Sequence, residues 1–169
     1  MDDGKPRPHI RRIVTGHNSN GKSTVWIDAP ATNHKWPNTT PATYSSTLMW
    51  VTDEAPADYL IDEDMATRVV GTAPPLGGTR FCIIEFLPSD KPNTMHRTDA
   101  IDYVICLSGE IDMVLEESTV KLTPGDILIQ RGTNHCWINR GKVPARIAVV
   151  LVDGKPKRDG SVAELKHAN

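Results

Sequence analysis

The sequence predicts a single all-β domain, an antiparallel β-barrel or jelly roll. Short β-prone segments follow one another at close, regular spacing, without helical periodicity. Thirteen prolines and twelve glycines separate these segments. A chain of 169 residues is long enough to bury one core. We expect a barrel over residues 10–153 with its motif-bearing core at 78–152, a disordered tail at 1–9 and a flexible tail at 154–169.

The N-terminal half begins with a predicted hairpin. Asn18-Ser19-Asn20-Gly21 is a strong hairpin turn between two β-prone segments. The expected elements are strands at 10–15 and 23–28, a loop at 29–43, a strand at 44–51, a short helix within the acidic segment 53–65, and a short strand at 67–70.

In the C-terminal half the strand pattern becomes tighter. The expected strands lie at 80–86, 101–107, 110–115, 120–122, 127–129, 136–138 and 145–152. Such close spacing is typical of a closed or sandwiched antiparallel barrel. The sequence contains no internal repeat and no linker that would separate two domains.

The composition argues against several classes of function. The formal net charge is -2, with 19 Lys and Arg against 21 Asp and Glu, so neither nucleic acid nor a membrane surface is an expected partner. The N-terminus lacks the apolar region of a secretory signal, and no apolar run approaches the roughly 18 residues of a spanning helix. We therefore expect a cytoplasmic protein that binds a small molecule.

The cysteines favour the same compartment. Cys82, Cys106 and Cys136 form no close pairing motif, and two of them lie in apolar runs. Buried, reduced thiols are the favoured interpretation. A metal-binding or nucleophilic role is the alternative.

Two histidines and one aspartate form the candidate metal site. Because side chains alternate along a strand, residues 96, 98, 100 and 102 can share one face. His96, Asp102 and His135 would then supply two imidazoles and a carboxylate, a set that suits Fe, Mn, Ni or Zn. Three protein ligands leave positions open for water or substrate, as a catalytic metal needs. In the alternative without metal, Asp102 would need a partner such as Arg80 or Arg97.

The chain resembles the cupin superfamily in two motifs. In that family a glutamate of the first motif is followed seven positions later by glycine, and here Asp102 is followed by Gly109. The second motif begins with Gly-Asp and continues with Gly-x-x-His and an asparagine. The matching residues here are Gly125-Asp126, Gly132-Thr133-Asn134-His135 and Asn139.

The resemblance implies a small single-domain, stand-alone cupin, and three positions depart from the family pattern. The second histidine of the usual His-x-His is Thr98, the glutamate is Asp102, and the proline before the second-motif histidine is Gln130. The resemblance therefore implies a ligand set of His96, Asp102 and His135, with Thr98 as a weak neutral ligand at best. Loss of the metal is the open alternative.

The same alternation predicts an apolar pocket with a few polar groups. The candidate pocket residues are Thr98, Val104, Cys106, Trp137, Asn139 and Arg131. Arg131 could capture a substrate carboxylate at the barrel rim, or it could be a surface arginine. Arg80 and Glu85 lie on opposite faces of one predicted strand, so at most one of them points inward.

Three function hypotheses follow. The first is a metal-dependent enzyme acting on a small oxygenated metabolite, in a lyase, decarboxylase or isomerase reaction with the metal as Lewis acid. The second is a non-haem iron dioxygenase, since two histidines and a carboxylate are its usual ligands. The third is a non-catalytic binding module without metal. No general acid or base can be assigned. We expect a homodimer, because exposed strand edges are commonly covered by a second subunit.

Overall fold

A computed structural model describes residues 9–38 and 41–155 of the chain. Within these ranges there is no α-helix, and one 3-10 turn spans Met65–Thr67. The strands are β1 Arg11–His17, β2 Ser23–Pro30, β3 His34–Lys35, β4 Tyr44–Thr52, β5 Thr79–Phe86, β6 Ala100–Ser108, β7 Ile111–Leu115, β8 Thr119–Leu122, β9 Ile127–Arg131, β10 His135–Ile138 and β11 Ala145–Asp153. The predicted all-β class is confirmed.

The strands form three antiparallel sheets. A six-stranded sheet has the order β3-β4-β5-β11-β6-β9, a three-stranded sheet has the order β10-β7-β8, and β1 pairs with β2 as a hairpin. The main hydrophobic core contains side chains from both larger sheets, including Val104 and Ile147 from the first and Met113 and Trp137 from the second. The two sheets therefore enclose one interior, as a jelly roll does.

Strand β6 shows the alternation most clearly. Ala100, Asp102, Val104 and Cys106 are each at most 5% exposed, whereas the residues between them are exposed. Tyr103, beside Asp102, points outward accordingly. Strand β9 pairs with β6 so that Gln130 lies opposite Asp102 on the inner face.

The outer face of the six-stranded sheet is covered only in part. Over the sheet's β4, β5 and β11 region, Met49, Ile83 and Ala148 pack against Ile10 and Ala31 from the N-terminal segment. Over β6 and β9, large apolar side chains remain exposed. These are Ile101, Tyr103, Ile105, Leu107, Ile127 and Ile129, at 42–69% exposure, and we call them the β6–β9 face.

The motif glycine at position 109 has a structural explanation. It joins β6 to β7 with φ of +69°, and a Cβ there would lie 2.7 Å from the Cα of Ala145. A side chain at this turn would suffer both backbone strain and a backbone clash. The motif residue Asp126 is likewise structural, because its carboxylate accepts hydrogen bonds from Thr123 N and Oγ1 at 2.8 and 2.9 Å.

Three local predictions differ from the structure. The predicted strand at 67–70 is wrong. The side-chain Nδ2 of Asn33 donates to the carbonyls of Ala66 and Arg68, at 2.9 and 2.8 Å. In a strand, these carbonyls would instead accept hydrogen bonds from the backbone N–H groups of a neighbouring strand. The expected helix within 53–65 is replaced by the 3-10 turn, which Asp64 caps. Strand β3 lies within the predicted loop 29–43.

The predicted tails fall mostly outside the described residues, at 1–8 and 156–169. Gly154, which was assigned to the C-terminal tail, donates its N–H to Asp99 O at 2.9 Å.

Candidate functional site

The inner face of the six-stranded sheet lines a cavity of about 110 Å³ together with the two motif loops. Its walls are mostly apolar, with Ile84, Val104, Ile147, Val149 and Leu151 contributed by strands β5, β6 and β11. A small number of polar side chains converge on this apolar space. They are Ser46, Thr72, Arg80, Asn93, His96, Thr98, Asp102, Gln130 and His135. This combination is typical of a small-molecule site.

An isolated β-bridge brings the two motif histidines together. His96 and His135 exchange backbone hydrogen bonds of 2.9 Å in both directions, and their ring centroids lie 4.4 Å apart. The Nδ1 atoms lie 2.8 Å from Thr94 O and 3.0 Å from Thr133 O respectively. Because a carbonyl only accepts, we assign a proton to each Nδ1, which leaves the lone pair on each Nε2.

The protonation state of His135 follows from its burial. Desolvation lowers its pKa from 6.5 to about 4, against the opposing effect of the Thr133 carbonyl and with a further contribution from His96. The imidazole is therefore neutral at physiological pH. A neutral imidazole with a fixed Nδ1 proton can accept a hydrogen bond or bind a metal through Nε2.

Asp102 is buried in the same cavity without a hydrogen-bond partner for Oδ1 among the described residues. Desolvation raises its pKa from 3.8 to about 7, although Arg80 acts in the opposite direction. Thr98 Oγ1 and Gln130 Oε1 are also buried and unpaired within the described part of the chain. Buried polar atoms are normally paired, so these three oxygens mark positions where a ligand would be stabilised.

Arg80 reaches the cavity from β5 and is 9% exposed. Its two terminal nitrogens donate to neutral acceptors, Thr72 O at 3.3 Å and Ser46 Oγ at 3.1 Å. Its Nε has no partner in the described residues. On the opposite face of β5, Glu85 pairs with Arg146 at 2.5 Å. The structure therefore resolves the open choice between Arg80 and Glu85, with Arg80 pointing inward.

One wall of the cavity is a row of rings. Tyr44 and Phe86 have centroids 5.9 Å apart, as do Phe86 and Trp137. Trp137 continues the row to His135 at 6.0 Å, in an edge-to-face arrangement. The planes of Tyr44 and Phe86 differ by 32° and those of Phe86 and Trp137 by 36°, so the row offers tilted aromatic rings to an apolar ligand.

The side chains of His96, Asp102 and His135 fit the predicted metal only in part. The two histidines suit a divalent ion, because both present Nε2 lone pairs and His135 is neutral. No group of three or more His, Cys, Asp or Glu side chains is gathered as a metal site within 9–38 and 41–155. Asp102 lines the same cavity but does not complete such a group, so a metal held by His96, Asp102 and His135 stays a prediction.

The predicted pocket residues occupy three kinds of position. Thr98, Val104 and Trp137 line the cavity. Cys106 and Asn139 are buried outside its lining, and Asn139 donates from Nδ2 to Phe86 O and Val143 O at 2.9 and 2.8 Å. Asn139 therefore ties a turn to β5. Arg131 pairs with Ile101 on the outer face and is exposed, which places it away from the cavity.

Sequence reasoning did not place several lining residues in the cavity, notably Tyr44, Ser46 and Phe86. Their strands β4 and β5 are buried on both faces, so the alternation of apolar and polar residues carries no signal there. The three cysteines are buried, and desolvation raises the pKa of each thiol. They are therefore protonated, unreactive thiols at neutral pH.

Comparison with known proteins identifies the class. The Cupin_2 domain family matches residues 82–152, which include both motifs. Phomopsin biosynthesis cluster protein C' of Diaporthe leptostromiformis is 32% identical over 167 residues, covering 90% of this chain and 84% of that protein. The chain therefore belongs to the cupin family, as a single-domain member.

Two further similarities were found. The cupin-domain-containing oxidoreductase virC of Hypocrea virens is 30% identical over 161 residues, covering 89% of this chain and 81% of that protein. Among solved structures, the polyketide cyclase RemF from Streptomyces resistomycificus aligns with a TM-score of 0.47 at 15% identity, over 68% of each chain. No helix in the described residues is long and apolar enough to cross a membrane.

Proposed function

We propose that the chain is an enzyme that binds a small oxygenated metabolite in the barrel cavity and transfers a proton on it, as a lyase, decarboxylase or isomerase does. The observation that carries the proposal is the convergence of unpaired polar groups, Asp102, Thr98 and Gln130, on one apolar cavity. An apolar site with few polar groups binds the body of a ligand and orients its reacting atoms.

Asp102 is the residue we propose for the proton transfer. A pKa of about 7 leaves its carboxyl half ionised near neutral pH, so that it can both accept and donate a proton. The free Nε2 of His135 adds a fixed hydrogen-bond acceptor in the same cavity. Nε2 of His135 would accept a hydrogen bond from a substrate hydroxyl, and the ionised carboxylate of Asp102 would take a proton from a carbon next to a substrate carbonyl. The electron pair of the broken C–H bond would pass into the carbonyl to give an enolate, and return of a proton from Asp102 to carbon would complete the exchange.

A more specific version of this proposal adds a bound metal ion. In this form His96, Asp102 and His135 would hold a divalent ion such as Fe, Mn, Ni or Zn, and the ion would act as a Lewis acid on a substrate oxygen. Asp102 would then serve as a metal ligand in place of its role in proton transfer. Elemental analysis of protein purified without chelators tests this form, with a His96→Ala, His135→Ala double variant as the control. Near-stoichiometric metal in wild type only would support it, and no metal in either protein after reconstitution would remove it.

Deuterium exchange tests the enzyme proposal itself. Small hydroxy acids, oxo acids and aldehydes would be incubated with the protein in D2O, and NMR would follow loss of carbon-bound protons. We expect exchange with wild type on at least one compound and a loss of about 100-fold or more with Asp102→Asn. Saturable binding without exchange, with or without added metal, would instead favour the non-catalytic binding module.

An oxidoreductase, including a non-haem iron dioxygenase, is the second candidate. It is supported by the relative that is named a cupin-domain-containing oxidoreductase. Relatives named for biosynthesis clusters suggest that the substrate is an intermediate in making a small product. Oxygen consumption by iron-loaded protein, measured beside the deuterium exchange, distinguishes the two reactions.

We also propose a homodimer formed through the β6–β9 face. Its six side chains expose an area on the order of 600 Å², at the upper end of what monomers expose in one patch. A standard interface buries roughly 800 Å² per partner, so this face with its rim is large enough for a stable pair. A two-fold axis would place the same face on both copies. Light scattering at micromolar concentration tests it, and a monomer would contradict it.

A further inference from the structure

Arg80 is a buried cation whose hydrogen-bonding capacity is only partly used. It is 9% exposed, its terminal nitrogens contact only neutral oxygens, and Nε is unpaired among the described residues. A buried charge without an opposite charge beside it is strongly unfavourable. The protein therefore holds in its cavity a guanidinium that an anion would stabilise.

Asp102 is the acidic residue that lines the cavity together with Arg80. The two side chains form no hydrogen bond or ion pair in the part of the chain that the structure describes, because the terminal nitrogens of Arg80 contact Thr72 and Ser46 and Asp102 Oδ1 has no partner. The hydrogen-bonding capacity that Arg80 has left is therefore available to a ligand.

We propose that the ligand of this cavity is a small planar carboxylic acid, whose carboxylate pairs with Arg80 and whose apolar body lies against the aromatic row. This inference rests on the proposed function and names its substrate class. Among the described lining residues Arg80 is the sole arginine or lysine, so the site carries one fixed positive charge. A single planar guanidinium matches a carboxylate, which accepts two parallel hydrogen bonds from it.

The rest of the lining sets the body of the acid. Tyr44, Phe86 and Trp137 form an aromatic row whose neighbouring rings are tilted by 32° and 36°, and the lining side chains from β11, Ile147, Val149 and Leu151, are aliphatic. The cavity volume of about 110 Å³ is smaller than the roughly 150 Å³ that accommodates one benzene ring. A short conjugated acid therefore fits within these walls, whereas an acid built on a benzene ring exceeds them.

The test compares acids with their uncharged amides. Crotonate and sorbate, each beside crotonamide or sorbamide, would be titrated into the full-length protein by calorimetry at pH 7. We expect each acid to bind wild type at least tenfold more tightly than its amide. In Arg80→Met this preference should disappear, whereas in Arg80→Lys, which keeps the charge without the planar fork, it should fall but remain. Arg131→Met removes an equivalent charge outside the cavity and should behave as wild type.

The outcomes separate the two proposals. Equal binding of acid and amide to wild type, or an unchanged acid preference in Arg80→Met, would overturn the carboxylate inference and leave the small-molecule site intact. No binding of any of the four compounds would overturn this inference for planar acids of that size, while the deuterium exchange continues to test the enzyme proposal. Because the wild-type comparison needs no variant, the test survives even if Arg80→Met does not fold.

Discussion

The two faces of strand β6 carry opposite kinds of unsatisfied group. On the inner face, Asp102 places a polar carboxyl in an apolar cavity, where Oδ1 finds no partner among the described residues. On the outer face, Tyr103 and Ile105 place apolar surface in water, at 47% and 42% exposure. Both arrangements are unfavourable in isolation, the first because of desolvation and the second because of apolar hydration.

The difference indicates what each face is suited to contact. A desolvated polar group is stabilised by a ligand with a matching charge or hydrogen bond. An apolar sheet face is stabilised by another apolar surface, such as the same face of a second copy. One strand, through its two-residue period, therefore serves a ligand site on one side and a candidate protein interface on the other.

The largest expected effect comes from placing a charge on each face in turn. Val104→Asp buries a carboxylate at a position 1% exposed, and we expect it to lower the free energy of unfolding by about 4 kcal/mol or to prevent folding. Ile105→Asp, one residue later, should cost about 1 kcal/mol or less in the dilute monomer. Urea denaturation at low protein concentration measures both. Equal losses would contradict the assignment of the two faces.

The next effect concerns association. Ile105→Asp, and separately Ile129→Asp, would place like charges against each other across a two-fold interface, and we expect dimer dissociation to increase at least 100-fold, about 3 kcal/mol. Analytical ultracentrifugation measures it. Val69→Asp is the matched control, since Val69 is apolar and 89% exposed outside the β6–β9 face. Dissociation caused equally by the control would argue against this interface.

A smaller effect is the pH dependence of stability from Asp102. Its pKa rises from 3.8 in the unfolded chain to about 7 in the folded protein, so between these values the folded state binds more protons. Stability is therefore lost as pH rises through that interval. His135, whose pKa is lowered, contributes a change of opposite sign in both proteins. Measured as the difference between the two, wild type should lose roughly 2–3 kcal/mol relative to Asp102→Asn between pH 5 and pH 8.

Asp126→Asn provides the control of opposite sign. The pKa of Asp126 is lowered by its hydrogen bonds from Thr123, so its contribution is present at neutral pH and disappears as pH falls. Chemical denaturation across the pH range would compare the two variants with wild type. If the free energy of unfolding changed with pH in the same way in wild type and in Asp102→Asn, the pKa of Asp102 in the folded protein would be that of an ordinary aspartate.

The smallest expected effect is the extent to which the cysteines of the native protein are labelled. Cys82 and Cys106 lie in the main core and Cys136 lies on β10, and all three are buried with raised thiol pKa values. We expect almost no labelling by iodoacetamide at pH 7.5 in the native protein, and complete labelling in guanidinium. Rapid labelling of the native protein would show that the core opens to solvent.

The first motif made the orientation of β6 predictable from sequence, whereas no motif marks Arg80. Hydrophobicity does not orient β6, because the residues on its exposed face are also apolar. Once Asp102 is placed on the inner face as a candidate ligand, the positions of Val104 and Tyr103 follow from the two-residue period. Strand β5 is buried on both faces, with Arg80 toward the cavity and Glu85 toward Arg146. The hydrophobicity of the sequence cannot show which face of such a strand points into the cavity, because buried residues occur on both faces.

The motif residues allowed the fold to be predicted from sequence, but several of them have a structural role and not a chemical one. Gly109, Asp126 and Asn139 each maintain a turn, which explains why they identify the barrel. Arg131 could not be oriented, because its side depends on the β6–β9 register, in which it lies opposite Ile101. That register is set by the whole sheet, so the local sequence around position 131 does not indicate which way the side chain points.

The bridge between His96 and His135 uses main-chain atoms alone, with N–H and C=O groups exchanged in both directions at 2.9 Å. Substitution of either imidazole leaves both hydrogen bonds available. The scaffold that sets these two positions side by side is thus independent of the side chains that occupy them. Point mutations could therefore replace the cavity side chains during evolution while the barrel keeps its shape, so the bridge is a natural starting point for redesigning the candidate site.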